Sequence, residues 1–501
     1  MSIAEQYDAL ITALREHGDL GGTLALLSWD QETQLPPAAT PGRARQIGLL
    51  AGILHERTTD PRFLALVDEL ATRLDQLDPH QQVNVRETKW RIDRTRRLDA
   101  ALVRERSALR SESHAVWIRA RRADDFAALA PYLARLVAIE QRVATAIDPE
   151  RPPYDVLLEG FEPGATTALL DQLFAALRDG LVPLIARLSA CLARKPLRAT
   201  GLSGRFAIDK QRALNRLVAE RLGFDFSRGR LDEAAHPFTT EVGDDVRITT
   251  RISERDLRSA LFSTIHETGH ALYEQGLDPT ARATPMGEAC SMGVHESQSR
   301  LWENLVGRSE AFWRWLLSEL ANVFPAVKSR SLATVLLAAN EARPSLIRTE
   351  SDELTYNLHI VLRFELERAL IDGTLNVTDL PAAWAEKMRQ YVGVAPTDDR
   401  DGVLQDVHWS EGLFGYFPTY TLGNVYAAQL FEAAQRSLGA LDDAFARGDF
   451  RPLREWLQRE IHRHGKTWRA PDLIAHATGQ PPSAAALLTH LNRKLTWLES
   501  V

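Results

Sequence analysis

The chain has 501 residues, 45% of them apolar and 25% charged, with a formal net charge of −7. Such a composition excludes a disordered chain, and 29 Gly and 24 Pro without a period exclude collagen-like or linker sequence. The mild acidity argues against a protein built as a whole for nucleic acid or an anionic membrane surface. Length alone allows roughly three average domains or one large fold.

Two cysteines, Cys191 and Cys290, make no disulfide framework, so buried thiols in a reducing compartment are expected. The first ten residues carry Glu5 and Asp8 and no apolar h-region, so no signal peptide is expected. The most apolar long stretch, 169–192, is interrupted by Asp171, Arg178, Asp179 and Arg187, so no membrane span is expected.

Helical periodicity dominates. Apolar residues recur at spacings of three and four over 4–17, 43–56, 61–77, 80–122, 124–146, 164–195, 209–222, 254–275, 295–306, 309–323, 330–341, 352–371, 378–391, 424–447, 450–464 and 483–498. Pro36-Pro37, Pro152-Pro153, Pro163-Gly164, Gly201 to Gly204, Pro279 and Pro481-Pro482 read as stop signals. Between Phe238 and Ile252 the chain alternates and is rich in Thr, Val and Ile. With a turn at Gly243-Asp244 it predicts a β-hairpin directly before a helix. From Arg86 to Arg122 there are twelve Arg or Lys and five Asp or Glu. A solvated helix with Trp90, Ile92, Leu98, Leu102, Leu109 and Val116 as its packed stripe explains this better than a basic binding surface.

Residues 266–270 read His266-Glu267-Thr268-Gly269-His270. On a helix the two histidines share one face and can reach one metal ion, with the intervening Glu267 beside them as general base. Ser253 and Asp256 form a capping-box start for that helix, Leu257, Leu261, Ile265 and Leu272 its buried stripe, and Gly276 its stop. Gly269 allows close approach of another backbone. A catalytic zinc site needs a third protein ligand and an open position. Tyr273 and Gly276 stand where a metzincin would have Gly and His, so that subclass is excluded. Glu296 is the leading third ligand, with Glu288, His295 and Glu303 as rivals. Glu303, two turns beyond Glu296, suits equally a carboxylate that orients a ligand histidine.

These blocks, taken in order, resemble the carboxypeptidase Taq family of metallocarboxypeptidases. The resemblance rests on His236-Pro237-Phe238, residues 245–249 (DVRIT), the HETGH motif, His295-Glu296-Ser297-Gln298, residues 347–352 (IRTESD) and 402–409 (GVLQDVHW). It extends to residues 29–33, Tyr154-Asp155 and residues 162–164. One departure is Ser351 in place of the usual Ala, which bears on local packing.

The resemblance implies a mainly α fold with a deep groove and one small sheet near the active site, related to neurolysin and angiotensin-converting enzyme. It implies one catalytic domain over 1–501, with an N-terminal helical wall or lid over about 1–200 and the metal-site region over about 230–425. It further implies Zn2+ or Co2+ at His266, His270 and Glu296, removal of single C-terminal residues with broad specificity, and a cytoplasmic homodimer. Glu267 would take the water proton and pass it to the leaving amine. By the same resemblance His408 and Tyr420 are candidate oxyanion donors, with Tyr416 a rival. Arg247 and Arg348 are candidates for the substrate carboxylate, unless each pairs with a nearby acid such as Asp245 or Glu350. His236 is a candidate for the peptide backbone. Peptides with a free C-terminus would be the partners, with no nucleic acid and no membrane. An oligopeptidase cutting internally, or a non-catalytic peptide-binding scaffold, are the alternatives.

Overall fold

The computed structural model describes residues 1–194 and 200–501. Its helices follow the predicted order, and the differences have local causes. The 4–17 prediction grows into α1 (Ile3–Thr33), because Gly18 and Gly22 sit where Ala283 and the Gly243 backbone come within 2.5 and 3.1 Å of an added Cβ. These glycines serve close packing and leave the helix unbroken. Next come α2 (Thr40–Thr58) and α3 (Pro61–Ala71). The long 80–122 prediction splits into α4 (Pro79–Arg96) and α5 (Ala100–Ala123). Asp99 causes the split, accepting from the Ala101 and Leu102 amides at 2.8 Å as an N-cap.

The arginine-rich stretch within α4 and α5 ties elements together. Arg106 pairs with Glu140, Arg96 with Asp68 and Arg91 with Glu288, and Arg94 and Arg110 donate to the Val156 and Gly412 carbonyls. Ile92, Leu102, Leu109 and Val116 of the proposed stripe are buried.

Then follow α6 (Phe126–Ile147), α7 (Pro153–Glu159), α8 (Thr167–Arg194) and α9 (Ile208–Leu222). Helix α7 has no counterpart among the predictions. Pro153 reads as a stop in the sequence but occupies the first helical turn, where its missing N–H costs nothing. Predicted position 195 lies outside the described residues.

The hairpin forms as β2 (Thr239–Val242) and β3 (Asp245–Thr250), turning at Gly243 with φ +67°. A strand the alternation did not reveal, β1 (Gly229–Glu233), joins it, giving the order β1-β3-β2. The β1 strand runs parallel to β3 with Arg230 opposite Arg247, and β2 runs antiparallel with Thr240 opposite Arg247. Central β3 turns Val246 and Ile248 inward to a small core with Phe224, Ala219 and Ala271.

Helix α10 (Leu257–Gly276) carries the histidine pair. It starts three residues later than predicted because Asp256, rather than Ser253, is the N-cap, accepting from the Arg258 amide at 2.9 Å. Beyond it lie α11 (Met292–Arg300), which passes into a π-helical turn over Leu301–Val306, then α12 (Glu310–Val323) and α13 (Leu332–Ala339). Helices α14 (Tyr356–Ile371) and α15 (Leu380–Tyr391) follow. The 424–447 prediction becomes α16 (Pro418–Leu438) and α17 (Asp442–Ala446), separated at Gly439 with φ +77°. The chain closes with α18 (Arg451–Glu460), α19 (Ala470–Thr478) and α20 (Ala485–Ser500). Helix α19 escapes prediction as α7 does, with a proline, Pro471, in its first turn.

A continuous apolar core runs from Leu102 to Leu498, and a smaller one joins Leu10, Phe63, Val67, Leu70, Leu77, Val85 and Ile92. Among the described residues no helix is long and apolar enough to cross a membrane.

Helices α10 and α11 touch through backbone. A Cβ on Gly269 would lie 2.6 Å from Ser299 Cα and 2.7 Å from the Gln298 carbonyl oxygen, and neither atom can move alone. Gly269→Ala is therefore expected to force the helices apart and to lower stability by about 1–3 kcal/mol. A thermal unfolding midpoint equal to that of the parent chain would contradict this contact.

Candidate metal centre and active-site cleft

The i, i+4 spacing on α10 places His266 and His270 side by side, with ring centroids 4.9 Å apart. Glu296 enters from α11, its Oε2 lying 3.3 Å from His270 Nε2 and 3.6 Å from His266 Nε2. The three ligand-type atoms all lie within 4.8 Å of one another. Two imidazoles and one carboxylate at this separation fit a divalent transition metal of the zinc type, with room left for a further ligand.

The surroundings select which atoms face the centre. His266 Nδ1 lies 2.9 Å from Glu303 Oε2, so its N–H donates there and Nε2 turns inward. Arg300 Nε donates to Glu296 Oε1 at 2.7 Å, leaving Oε2 toward the histidines, and Ser299 Oγ donates to that Oε2 at 3.1 Å. Arg300 and Arg308 also reach Glu303, at 3.3 and 2.9 Å. Burial opposes charge on Glu296, but Arg300 and His266 hold its carboxyl well below the usual range. Glu303 is likewise brought down to about 2, because the His266 hydrogen bond and Arg300 outweigh burial. Gly423 of α16 makes room for Glu296, since a Cβ there would meet its Cγ at 2.5 Å.

The four sequence candidates for third ligand separate by their partners. Glu288 is paired with Arg91 and Lys466, His295 contacts His270 from the side away from Glu296, and Glu303 sits behind His266.

Glu267 is buried beside the centre. Its Oε2 accepts from Thr239 Oγ1 of β2 at 2.7 Å, and burial pushes its carboxyl upward. Both groups line a cleft of about 1240 Å³ whose walls include His266, His270, Glu296, Phe238, Arg348, Tyr416 and Tyr420.

The remaining candidates are placed unequally. Tyr420 lines the cleft, whereas His408 stands behind it with Nε2 3.2 Å from the Tyr420 hydroxyl. Burial lowers His408 to about 4, so the ring is neutral near pH 7. Arg348 lines the cleft but gives its fork to Asp406, with Nη2 to Oδ1 at 2.8 Å and Nη1 to the Tyr356 hydroxyl at 3.1 Å. Its acid is thus Asp406 and not Glu350. Arg247 pairs with Asp245 at 2.6 Å and stacks on Trp29 at 4.3 Å, apart from the cleft lining. His236 is exposed next to the cleft-lining Pro237. Ser351, the departure from the usual motif, uses its hydroxyl locally, donating to the Ile347 carbonyl at 3.0 Å.

Sequence reading missed Thr239, Arg300, Arg308 and Asp406. Only Arg300 left a signal, four residues after Glu296 on one helix face.

A helical body, a cleft, and two histidines one helical turn apart facing a carboxylate from the next helix make up a candidate metallopeptidase site. The profile of the carboxypeptidase Taq (M32) metallopeptidase family matches residues 9–495, and the chain belongs to that family of hydrolases acting on C-terminal residues. It is 44% identical to thermostable carboxypeptidase 1 of Thermus thermophilus over 500 residues, covering 97% of this chain and 98% of that one. Carboxypeptidase 1 of Bacillus subtilis is 39% identical over 473 residues, 94% of each chain. The crystal structure of an M32 carboxypeptidase from Deinococcus radiodurans superposes with a TM-score of 0.96 at 43% identity, covering 99% of this chain and 100% of that one.

Glu303 is the only carboxylate that Arg308 contacts among the described residues. Glu303→Leu would leave Arg308 only the uncharged Asn304 and Ala339 oxygens and would free the His266 ring. Loss of one partner of a buried pair predicts about 3–5 kcal/mol of destabilisation. Thermal unfolding with chelator present throughout checks it, and an unchanged midpoint would refute it.

Proposed function

We propose that the chain removes single residues from peptide C-termini with broad specificity, using Zn2+ or Co2+ held by His266, His270 and Glu296. The observation that carries this reading is the convergence of those three ligand atoms on a cleft wall beside buried Glu267. A divalent metal there supplies Lewis acidity, polarising the scissile carbonyl and bringing a water's pKa to about 7. Glu267 takes the proton of the attacking water and delivers it to the leaving amine. The Thr239 hydroxyl occupies Oε2, so Oε1 is the atom left for the proton. Tyr420, backed by neutral His408, donates to the developing oxyanion.

Of the two arginines, Arg348 is the better supported partner for the substrate carboxylate, because it lines the cleft while Arg247 stacks on Trp29. Asp406 fixes the Arg348 guanidinium in advance, which lowers the ordering cost of binding. His236 stands at the edge of the cleft as a contact for the peptide backbone. The cleft draws on Trp90 of α4 and Lys494 of α20 alike, which supports one catalytic unit spanning the chain with its N-terminal helices as a wall. Two free, buried cysteines support a cytoplasmic location. Membership of the carboxypeptidase Taq family is what supports a homodimer.

Turnover of an N-blocked peptide should release one residue at a time, stop with chelator, and fall about 10²–10⁴-fold in Glu267→Gln with metal still bound. Amidating the substrate's C-terminus should slow release sharply. Undiminished cleavage of the amide would instead make the enzyme an endopeptidase, and full activity of Glu267→Gln would remove that residue from the proton path. Sedimentation velocity of the full chain should give a dimer, and a monomer would remove the homodimer from this reading.

A further inference from the structure

His270 and His266 are held by different devices. His266 Nδ1 meets a carboxylate directly. His270 Nδ1 instead meets a second imidazole, His295 of α11, at 2.5 Å, with ring centroids 4.6 Å apart. The far nitrogen of that ring, His295 Nε2, lies 2.8 Å from Oε1 of Glu274, one turn beyond His270 on α10. Tyr273 packs on His295 with centroids 5.3 Å apart, fixing the ring between the two helices.

The proton order along this chain of atoms is determined. A neutral imidazole that ligates through Nε2 carries its proton on Nδ1. Two nitrogens 2.5 Å apart share one proton, so His295 Nδ1 must present its lone pair. The His295 proton then lies on Nε2 and is donated to Glu274. We propose that His295 and Glu274 are positioning residues that fix the ring orientation and tautomer of His270 through two consecutive hydrogen bonds, and so set metal affinity. The proposal rests on the reading that His266, His270 and Glu296 hold the metal.

The same logic bears on a second cluster. Glu241, Glu274 and His295 also bring ligand-type atoms within 4.8 Å of one another. A cation there would need the lone pair of His295 Nε2. The His295 proton would move to Nδ1 and face the His270 proton at 2.5 Å. Filling the first site therefore closes the second, and the cluster serves orientation.

Zinc titration of the full chain against a competing chelator tests this. The parent chain should bind one zinc. His295→Leu should bind it about 10–100-fold more weakly, as expected when the partner of a ligand histidine is lost. His295→Gln, whose amide oxygen can accept from His270 while its amide nitrogen donates to Glu274, should stay within about threefold of the parent chain. Glu274→Leu should resemble His295→Leu and carries the test if His295→Leu does not fold. A merely structural role for His295 would make the Gln and Leu variants equally weak. That result, parent-like affinity in both Leu variants, or two zinc ions per parent chain, would overturn the proposal. A parent chain that binds no zinc would overturn the metal centre itself, which is a different result.

Discussion

The site depends on one steric fact, the contact between α10 and α11 at Gly269. A helix pair usually stands 8–10 Å apart because side chains separate it. Here glycine lets the Ser299 backbone lie against the histidine helix. The consequence is reach: Glu296, a short step before Ser299, brings its carboxylate to both imidazoles, while His295 on the same turn meets His270. Gly423 repeats the device on the other side of Glu296, so α16 presses α11 toward α10. Three helices thus fix the carboxylate by packing.

What could be read in advance followed range of interaction. The histidine pair is a matter of spacing on one helix, and the β2–β3 hairpin is a matter of alternation and one turn. Both are local, and both form as expected. Glu296 was one of four candidates because the features that separate them are distant: Glu288 is occupied by Arg91, 197 residues away, and by Lys466. The partner of Arg348 is 58 residues away at Asp406, beyond any pattern in the chain, whereas the sequence offers only a nearby acid such as Glu350. Strand β1 was hidden for a related reason, since its parallel pairing with β3 needs no turn signal. Pro153 hides α7 because proline marks both the end of one helix and the first turn of the next.

The π-helical turn after α11 shows how local irregularity serves the centre. Glu303 lies in it, and the extra width of such a turn commonly accompanies functional positions. From there Glu303 reaches His266 Nδ1 while its other oxygen stays with Arg308. The two imidazoles are therefore contacted from both sides, by the π turn at His266 and by α11 at His270.

Charge acts alongside this packing. Glu267, Glu296 and Glu303 bring three carboxylates into a buried space, where unpaired charge is costly. Arg300 and Arg308 return two positive charges at hydrogen-bonding distance. These five groups alone sum to −1, and a divalent cation on the proposed ligands would make the sum +1. Asp406 meanwhile balances Arg348 and Arg363 together, leaving that neighbouring cluster at +1 as well. A cleft whose two buried charge clusters are each positive once metal is bound suits an anionic substrate end better than an uncharged internal segment of peptide. The preference for a free C-terminus then has a physical source beyond any single arginine, in the incomplete neutralisation of paired cations by single carboxylates.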